Sequence, residues 1–305
     1  MTTGQIPPAG RLLDRGTRAW WRLVGRPVDL TDEHRWLDAP LCGPGPVGEQ
    51  WLQAEASRIG GRLDPDPDGG LLATMSALDG GSFRAEEVHP LVRDFYEHTA
   101  RWRMEVWTQW SALFRPGGEL ISAVFGRRVQ QLALPTRPMD VAHGMDSRVV
   151  RLLRRDGTQH AAGWLRTLAA TGEYVYSGCY SARTLPGSAQ PSVHVAFPLE
   201  SGNVQVFLQP RAEPDGALCL SSPPGDFGGD GAYVVVQDSA GRTHGARVPI
   251  HERFRVYVDE RGILRTDHEL RLYRALALRL HYRLEKGTPH PSPGSVTTAA
   301  PAPAE

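Results

Sequence analysis

The stretch Ser192–Val236, SVHVAFPLESGNVQVFLQPRAEPDGALCLSSPPGDFGGDGAYVVV, decides how the chain folds. Val193, Val195 and Phe197 alternate with His194 and Ala196, and Val204, Val206 and Leu208 alternate with Gln205, Phe207 and Gln209. Alternation bounded by Gly, Pro, Asn and Asp marks β-strands with two unlike faces. The breaks have a mechanism of their own. In Pro214-Asp215-Gly216 the proline presets φ, the aspartate bonds its own backbone and the glycine tolerates positive φ. Four short strands of a curved antiparallel sheet are expected here.

Working outward, strands are expected at Arg148–Leu153, Gly163–Ala169, Glu173–Tyr180, Gly245–Ile250, Phe254–Val258 and Ile263–Thr266. Hairpin-type breaks fall at Asp156-Gly157, Ser239-Ala240-Gly241 and Glu260-Arg261-Gly262. So many short strands suggest a barrel or sandwich. Glu269–Glu285 follows a capping-box spacing, Thr266 to Glu269, yet Leu276, Leu278, Leu280, Tyr282 and Leu284 alternate strictly. A last strand or hairpin arm is expected.

Upstream, Val88, Val92, Phe95, Thr99, Trp102, Val106, Trp110 and Leu113 fit helical spacing, with Pro90 in the first turn. Pro116-Gly117-Gly118 closes that helix, and Glu119–Ala133 repeats the pattern. Shorter helices are expected at Arg11–Val24 and Glu49–Ile59, the latter stopped by Gly60-Gly61.

The expected class is α+β: a many-stranded antiparallel curved sheet, or partly open barrel, packed against a helical hairpin. Residues 1–85 form an N-terminal helical and loop extension. Residues 86–286 form the main domain, with the hairpin at 88–134 and the β-rich part at 146–286. Residues 287–305 make a disordered Pro/Ala-rich tail. This element order resembles lipocalin-like and START-like cavity proteins, an analogy carried by no motif.

Composition excludes several classes. The net charge is zero at pH 7 and the basic residues are scattered, so neither nucleic acid nor an anionic membrane is an expected partner. Lys286 is the only lysine and lies beside the tail, which excludes a P-loop and a pyridoxal-phosphate Schiff base. Cys42, Cys179 and Cys219 form no CxxC pair, against a zinc knuckle or disulfide framework. No signal-peptide pattern opens the chain and no apolar run reaches the ~18–20 residues of a membrane span, so a cytoplasmic location is expected.

Local motifs are weak. Gly43-Pro44-Gly45-Pro46-Val47-Gly48 matches GxGxxG in letters, but no buried strand precedes it and its prolines remove backbone donors. Asp64, Asp66, Asp68 and Gly69 mimic the start of a calcium loop, but Met75 stands where the bidentate Glu belongs. The histidines show no HxH, HxxxH or HExxH spacing, and there is no GxSxG elbow. Neither a metal nor a cofactor is expected.

The aromatic-polar set points to a cavity. Tyr174, Tyr176 and Tyr180 share a strand phase, and Tyr233, Tyr257 and Trp164 lie in other strands. On a concave sheet such side chains wall a ligand site with flat apolar faces and a few hydroxyls. Binding of a hydrophobic small molecule is therefore expected, with Tyr176, Tyr180, His194, Gln205 and Tyr233 as wall residues. The alternative is a cofactor-free isomerase, cyclase or hydrolase using His194, Asp267 and His268 for acid–base work. A second alternative is a protein-interaction module.

Overall fold

Alternation in a strand fixes register, because a slip of one residue would exchange its two faces. In a computed structural model of the chain, which describes residues 19–43, 48–110, 145–169 and 171–287, that logic runs through the whole β-rich half. The strands are β1 (Arg26–Pro27), β2 (Arg62–Asp64), β3 (Trp102–Trp110), β4 (Met145–Leu153), β5 (Gln159–Leu168), β6 (Tyr174–Thr184) and β7 (Pro191–Leu199). They continue with β8 (Gly202–Ala212), β9 (Leu218–Ser221), β10 (Gly231–Gln237), β11 (Thr243–Val248), β12 (Ile250–Val258), β13 (Leu264–Leu272) and β14 (Ala275–Lys286). The helices among the described residues are α1 (residues 19–24), α2 (Gln50–Arg58), α3 (Pro90–Glu97) and short 3-10 turns.

All fourteen strands join one open sheet, in the order β2-β4-β5-β6-β7-β8-β9-β12-β13-β14-β3. A branch of β10, β11 and β1 leaves from the first half of β8. Every strand pairing is antiparallel. The valine rows meet across strands: Val195 opposes Val206, which opposes Ala232, and Phe197 opposes Val204, which opposes Val234. Turn chemistry behaves as expected at Gly216, where φ is +79° and Asp215 Oδ1 accepts from the Ala217 amide at 3.1 Å.

The sheet is rolled, since side chains from β5 and from β13, far apart in strand order, line one cavity. Residues 71–102 plug the concave side. Leu71, Leu72, Met75, Leu78, Phe83, Val88, Val92, Phe95 and Trp102 join the same buried cluster as the inward residues of the strands. The convex side of β5–β8 and β10 is covered by the N-terminal strap, residues 26–43 and 48–59. Trp51 and Leu52 of α2 pack on Val150, Leu165 and Cys179, while Val28, Trp36 and Leu37 pack on Phe207, Tyr233 and Val235. Gly163 permits the approach of α2, because a Cβ there would lie 2.5 Å from Leu52 Cδ2.

The expected long helix from Val88 is corrected. Only Pro90–Glu97 is helical, capped by His89, whose Nδ1 accepts from the Leu91 amide at 3.1 Å. A 3-10 turn follows, and Trp102–Trp110 is strand β3, paired along its length with β14. The spacing misleads because Trp102, Val106 and Trp110 recur every four residues, close to one helical turn of about 3.6 and twice the two-residue strand period. The second arm of the expected hairpin, Glu119–Ala133, lies outside the described residues. Glu269–Glu285 divides between the end of β13 and β14, joined through Tyr273 at φ +54°. No helix among the described residues is long and apolar enough to cross a membrane.

Candidate functional site

Between the plug and the rolled sheet lies a cavity of about 110 Å³. Val193, Val195, Val206, Leu208 and Leu220 form one wall, and Leu71, Phe95 and Tyr96 close it from the plug. Trp164 and Arg166 enter from β5, Tyr176 and Tyr180 from β6, Glu252 and Phe254 from β12, Thr266 and His268 from β13, and Tyr282 from β14. The volume approaches the ~150 Å³ of an apolar cavity that takes up benzene.

The aromatic corner is held by edge-to-face contacts: Trp164 to Tyr176 at 5.7 Å, Trp164 to Tyr180 at 5.6 Å, and Tyr176 to Phe197 at 5.5 Å between ring centroids. The Tyr176 and Tyr180 hydroxyls are hydrogen-bonded to each other at 2.5 Å. Gly178 makes this possible, because a Cβ there would sit 3.0 Å from the Tyr176 ring and hydroxyl. Burial raises the pKa of Tyr176 and Tyr180 and lifts Tyr282 to about 12, so each phenol keeps its proton, one of which is donated within the Tyr176–Tyr180 pair.

Three charged or ionisable groups break the apolar lining. The Arg166 guanidinium lies 4.0 Å above the Trp164 ring and 5.0 Å from Tyr176, and its Nε has no hydrogen-bond partner. His268 stacks on Phe254 with ring centroids 3.8 Å apart. Its Nε2 comes within 3.3 Å of Glu252 Oε2, although neither ring nitrogen makes a well-formed hydrogen bond. Arg166 and Glu252 were missed by sequence reading. A signal was present, since Arg166 shares the strand phase of Trp164, and Glu252 that of Phe254 and Val256.

The residues picked from sequence divide between the two faces. Tyr176, Tyr180 and His268 line the cavity. His194, Gln205 and Tyr233 lie beneath the strap, on the opposite side of the sheet. The Ser181 hydroxyl bonds His194 Nδ1 at 3.0 Å, and His194 Nε2 meets Gln205 Oε1 at 2.8 Å. The Gln205 amide donates to the Leu37 carbonyl and Asn203 Oδ1, both at 2.7 Å. Burial, then Arg183, push the His194 pKa well below its ordinary value, which matches a neutral ring carrying its proton on Nε2. Tyr233 donates to the Gly229 carbonyl at 2.6 Å and packs edge-on against Trp36 at 5.0 Å, so it anchors the glycine-rich loop of residues 223–231. Asp267 is on the outer surface, 2.7 Å from His281 Nδ1. Tyr174 also leaves the cavity phase, because an irregularity between Arg166 and Thr167 shifts its register, and it packs with Trp51 and Leu165 instead.

Elsewhere, the acidic Asp64-Asp66-Asp68 turn is occupied by arginines: Arg151 pairs with Asp64 and Asp66, Arg101 pairs with Asp68, and His98 Nδ1 lies 2.9 Å from Asp68. No cluster of three or more His, Cys, Asp or Glu suited to a metal occurs among the described residues. No protein-family model matches the chain, and no curated protein or solved structure is significantly similar to it.

Proposed function

We propose that the protein binds a hydrophobic small molecule in the cavity between the plug and the rolled sheet. The supporting observation is the lining itself, where valines, leucines and aromatic rings from separate strands converge and only a few polar groups interrupt them. Pockets of this make-up take apolar ligands and use their few polar groups to orient them. A lipocalin-like or START-like mode of binding, with the sheet as cup and the plug as floor, follows from this reading. A reducing, cytoplasmic setting suits the three free cysteines, Cys42, Cys179 and Cys219.

The test is calorimetric titration with 3-phenylpropan-1-ol, a neutral ring on a short chain, against the wild type and Val206→Phe. Val206 is buried in the cavity wall, so the larger ring fills the space. Saturable binding that disappears in the variant is the expected result. No saturable binding, or equal binding to both proteins, would overturn the proposal. Native and denaturing mass spectrometry on protein isolated from its natural source adds an independent readout, expected to show extra mass that extracts into organic solvent.

The His268–Glu252 pair favours a second reading, a cofactor-free enzyme acting in the same cavity. A carboxylate beside an imidazole transfers a proton between two positions of a bound substrate, the step shared by isomerases and cyclases. Exchange of solvent deuterium into the molecule recovered from the cavity would support it. Loss of that exchange in His268→Gln, with the molecule still bound, would assign the exchange to the pair. An unlabelled molecule would leave binding alone.

A further inference from the structure

Arg166 is a buried cation to which the described residues give no counter-ion. The residue is 7% exposed, and its guanidinium lies against the faces of Trp164 and Tyr176. It forms no ion pair among the described residues, and its Nε is buried without a hydrogen bond. Most buried arginine charges are paired, because desolvation of a charge is costly unless a partner offsets it. Ring faces recover only part of that cost. Several other arginines do find carboxylates: Arg58 takes Asp38 and Glu55, Arg151 takes Asp64 and Asp66, and Arg255 takes Glu213 and Asp215.

The carboxylate facing the same space is Glu252, and it approaches His268 instead. The phenols around them, Tyr96, Tyr176, Tyr180 and Tyr282, have raised pKa values through burial and carry no charge at neutral pH. An unpaired guanidinium therefore projects into an apolar cavity beside neutral hydroxyl donors. The guanidinium fork matches a carboxylate with two parallel N–H···O bonds, a geometry neutral ligands do not satisfy.

We propose that the ligand of this cavity is an amphipathic monocarboxylate, its acid group bound by Arg166 and its apolar body lying along Val193, Val195, Val206 and Leu208. The inference rests on the cavity-binding reading and adds the chemical class of the ligand. One negative charge is specified because Glu252 shares the cavity, and a dianion would place a second anion near it.

The experiment compares matched probes, 3-phenylpropanoate and 3-phenylpropan-1-ol, by calorimetry on the wild type, Arg166→Met, Arg166→Lys and Glu252→Gln. The wild type is expected to prefer the acid by about tenfold to a hundredfold, the range of a charge-assisted hydrogen bond. In Arg166→Met that ratio is expected to fall to about one. Arg166→Lys, which keeps charge and loses the fork, is expected to fall between. Should Arg166→Met fail to fold by circular dichroism, Arg166→Lys carries the test through the same ratio. Glu252→Gln is expected to keep or raise the preference. A preference for the acid that persists without the guanidinium would overturn the assignment. So would alcohol binding as tight as acid binding in the wild type, and in that case cavity binding itself would stand. If neither probe binds any protein, both the cavity reading and this inference fall.

Discussion

Strands β5–β8 and β10 are buried on both sides, and their two faces handle polar atoms in opposite ways. Under the strap, polar side chains complete one another. Ser181, His194, Gln205 and Asn203 form a continuous network ending on the Leu37, Ala39 and Pro40 carbonyls, and Ser177 joins Trp51 Nε1 to the Gly48 carbonyl. On the cavity side, Arg166 Nε and both His268 nitrogens lack a hydrogen bond. Buried polar groups are almost always satisfied, so these exceptions in the cavity call for an explanation, and a bound molecule is the one proposed above. His194, bonded at both ring nitrogens, ties β6, β7 and β8 together, whereas His268 has neither ring nitrogen hydrogen-bonded.

Substitutions on each face can break that contrast. The largest effect is expected for Gln205→Leu, which strands His194 Nε2, Asn203 Oδ1 and the Leu37 carbonyl without partners. A loss of roughly 3 kcal/mol in urea unfolding is expected, with the affinity for 3-phenylpropan-1-ol little changed. Abolished probe binding in a still folded Gln205→Leu protein would mean that the faces are not independent.

Acid should act on the strap face first. His194 stays neutral in the fold while an unfolded imidazole takes a proton near pH 6.5, so stability is complete above that value and falls as pH drops below it. The slope is expected to reach about 1.4 kcal/mol per pH unit. Glu55 acts lower down. Burial raises its pKa, but hydrogen bonds from His160 and Arg58 outweigh this and hold it at about 2, so its contribution is lost between about pH 4.5 and 2. Unfolding curves of wild type and His194→Asn between pH 7 and 5 check the upper window. The variant should be less stable throughout and flatter with pH, and equal slopes would remove His194 as the source.

Arg247 gives a smaller, local effect. It donates to the carbonyls of Pro223, Asp226 and Asp230 and so pins the loop that Tyr233 also holds. Arg247→Met should cost roughly 1–2 kcal/mol and speed proteolysis within residues 223–231. Unchanged cleavage would show that Tyr233 suffices. The smallest effect belongs to Asp267→Asn, because its pairing with His281 is on the surface, where such contacts contribute below about 1 kcal/mol. A melting temperature more than a few degrees lower would contradict that placement.

How much of this was legible depended on the range over which each residue finds its partners. The strands from β4 onward and the Gly216 turn could be read from neighbours in sequence, since alternation and turn chemistry are local. Strand β3 could not, because a four-residue recurrence satisfies both periods and only pairing with β14, more than 150 residues away, selects between them. Tyr174 separates from Tyr176 through a register irregularity that no residue type announces.

The sequence by itself determined which residues stand together on a strand face: His194 with Ala196, Val195 with Phe197, and Arg166 with Trp164. Only the tertiary structure decided which of those faces encloses a cavity. A strand with apolar valines on one side and His or Gln on the other is equally consistent with either side facing in. The choice was made by distant segments. Trp36, Leu37 and Trp51 covered the polar side and supplied carbonyls and packing, while Leu71, Phe95 and Tyr96 left the valine side partly unfilled. Face identity is a property of what covers the face, and alternation within a strand carries no information about its cover.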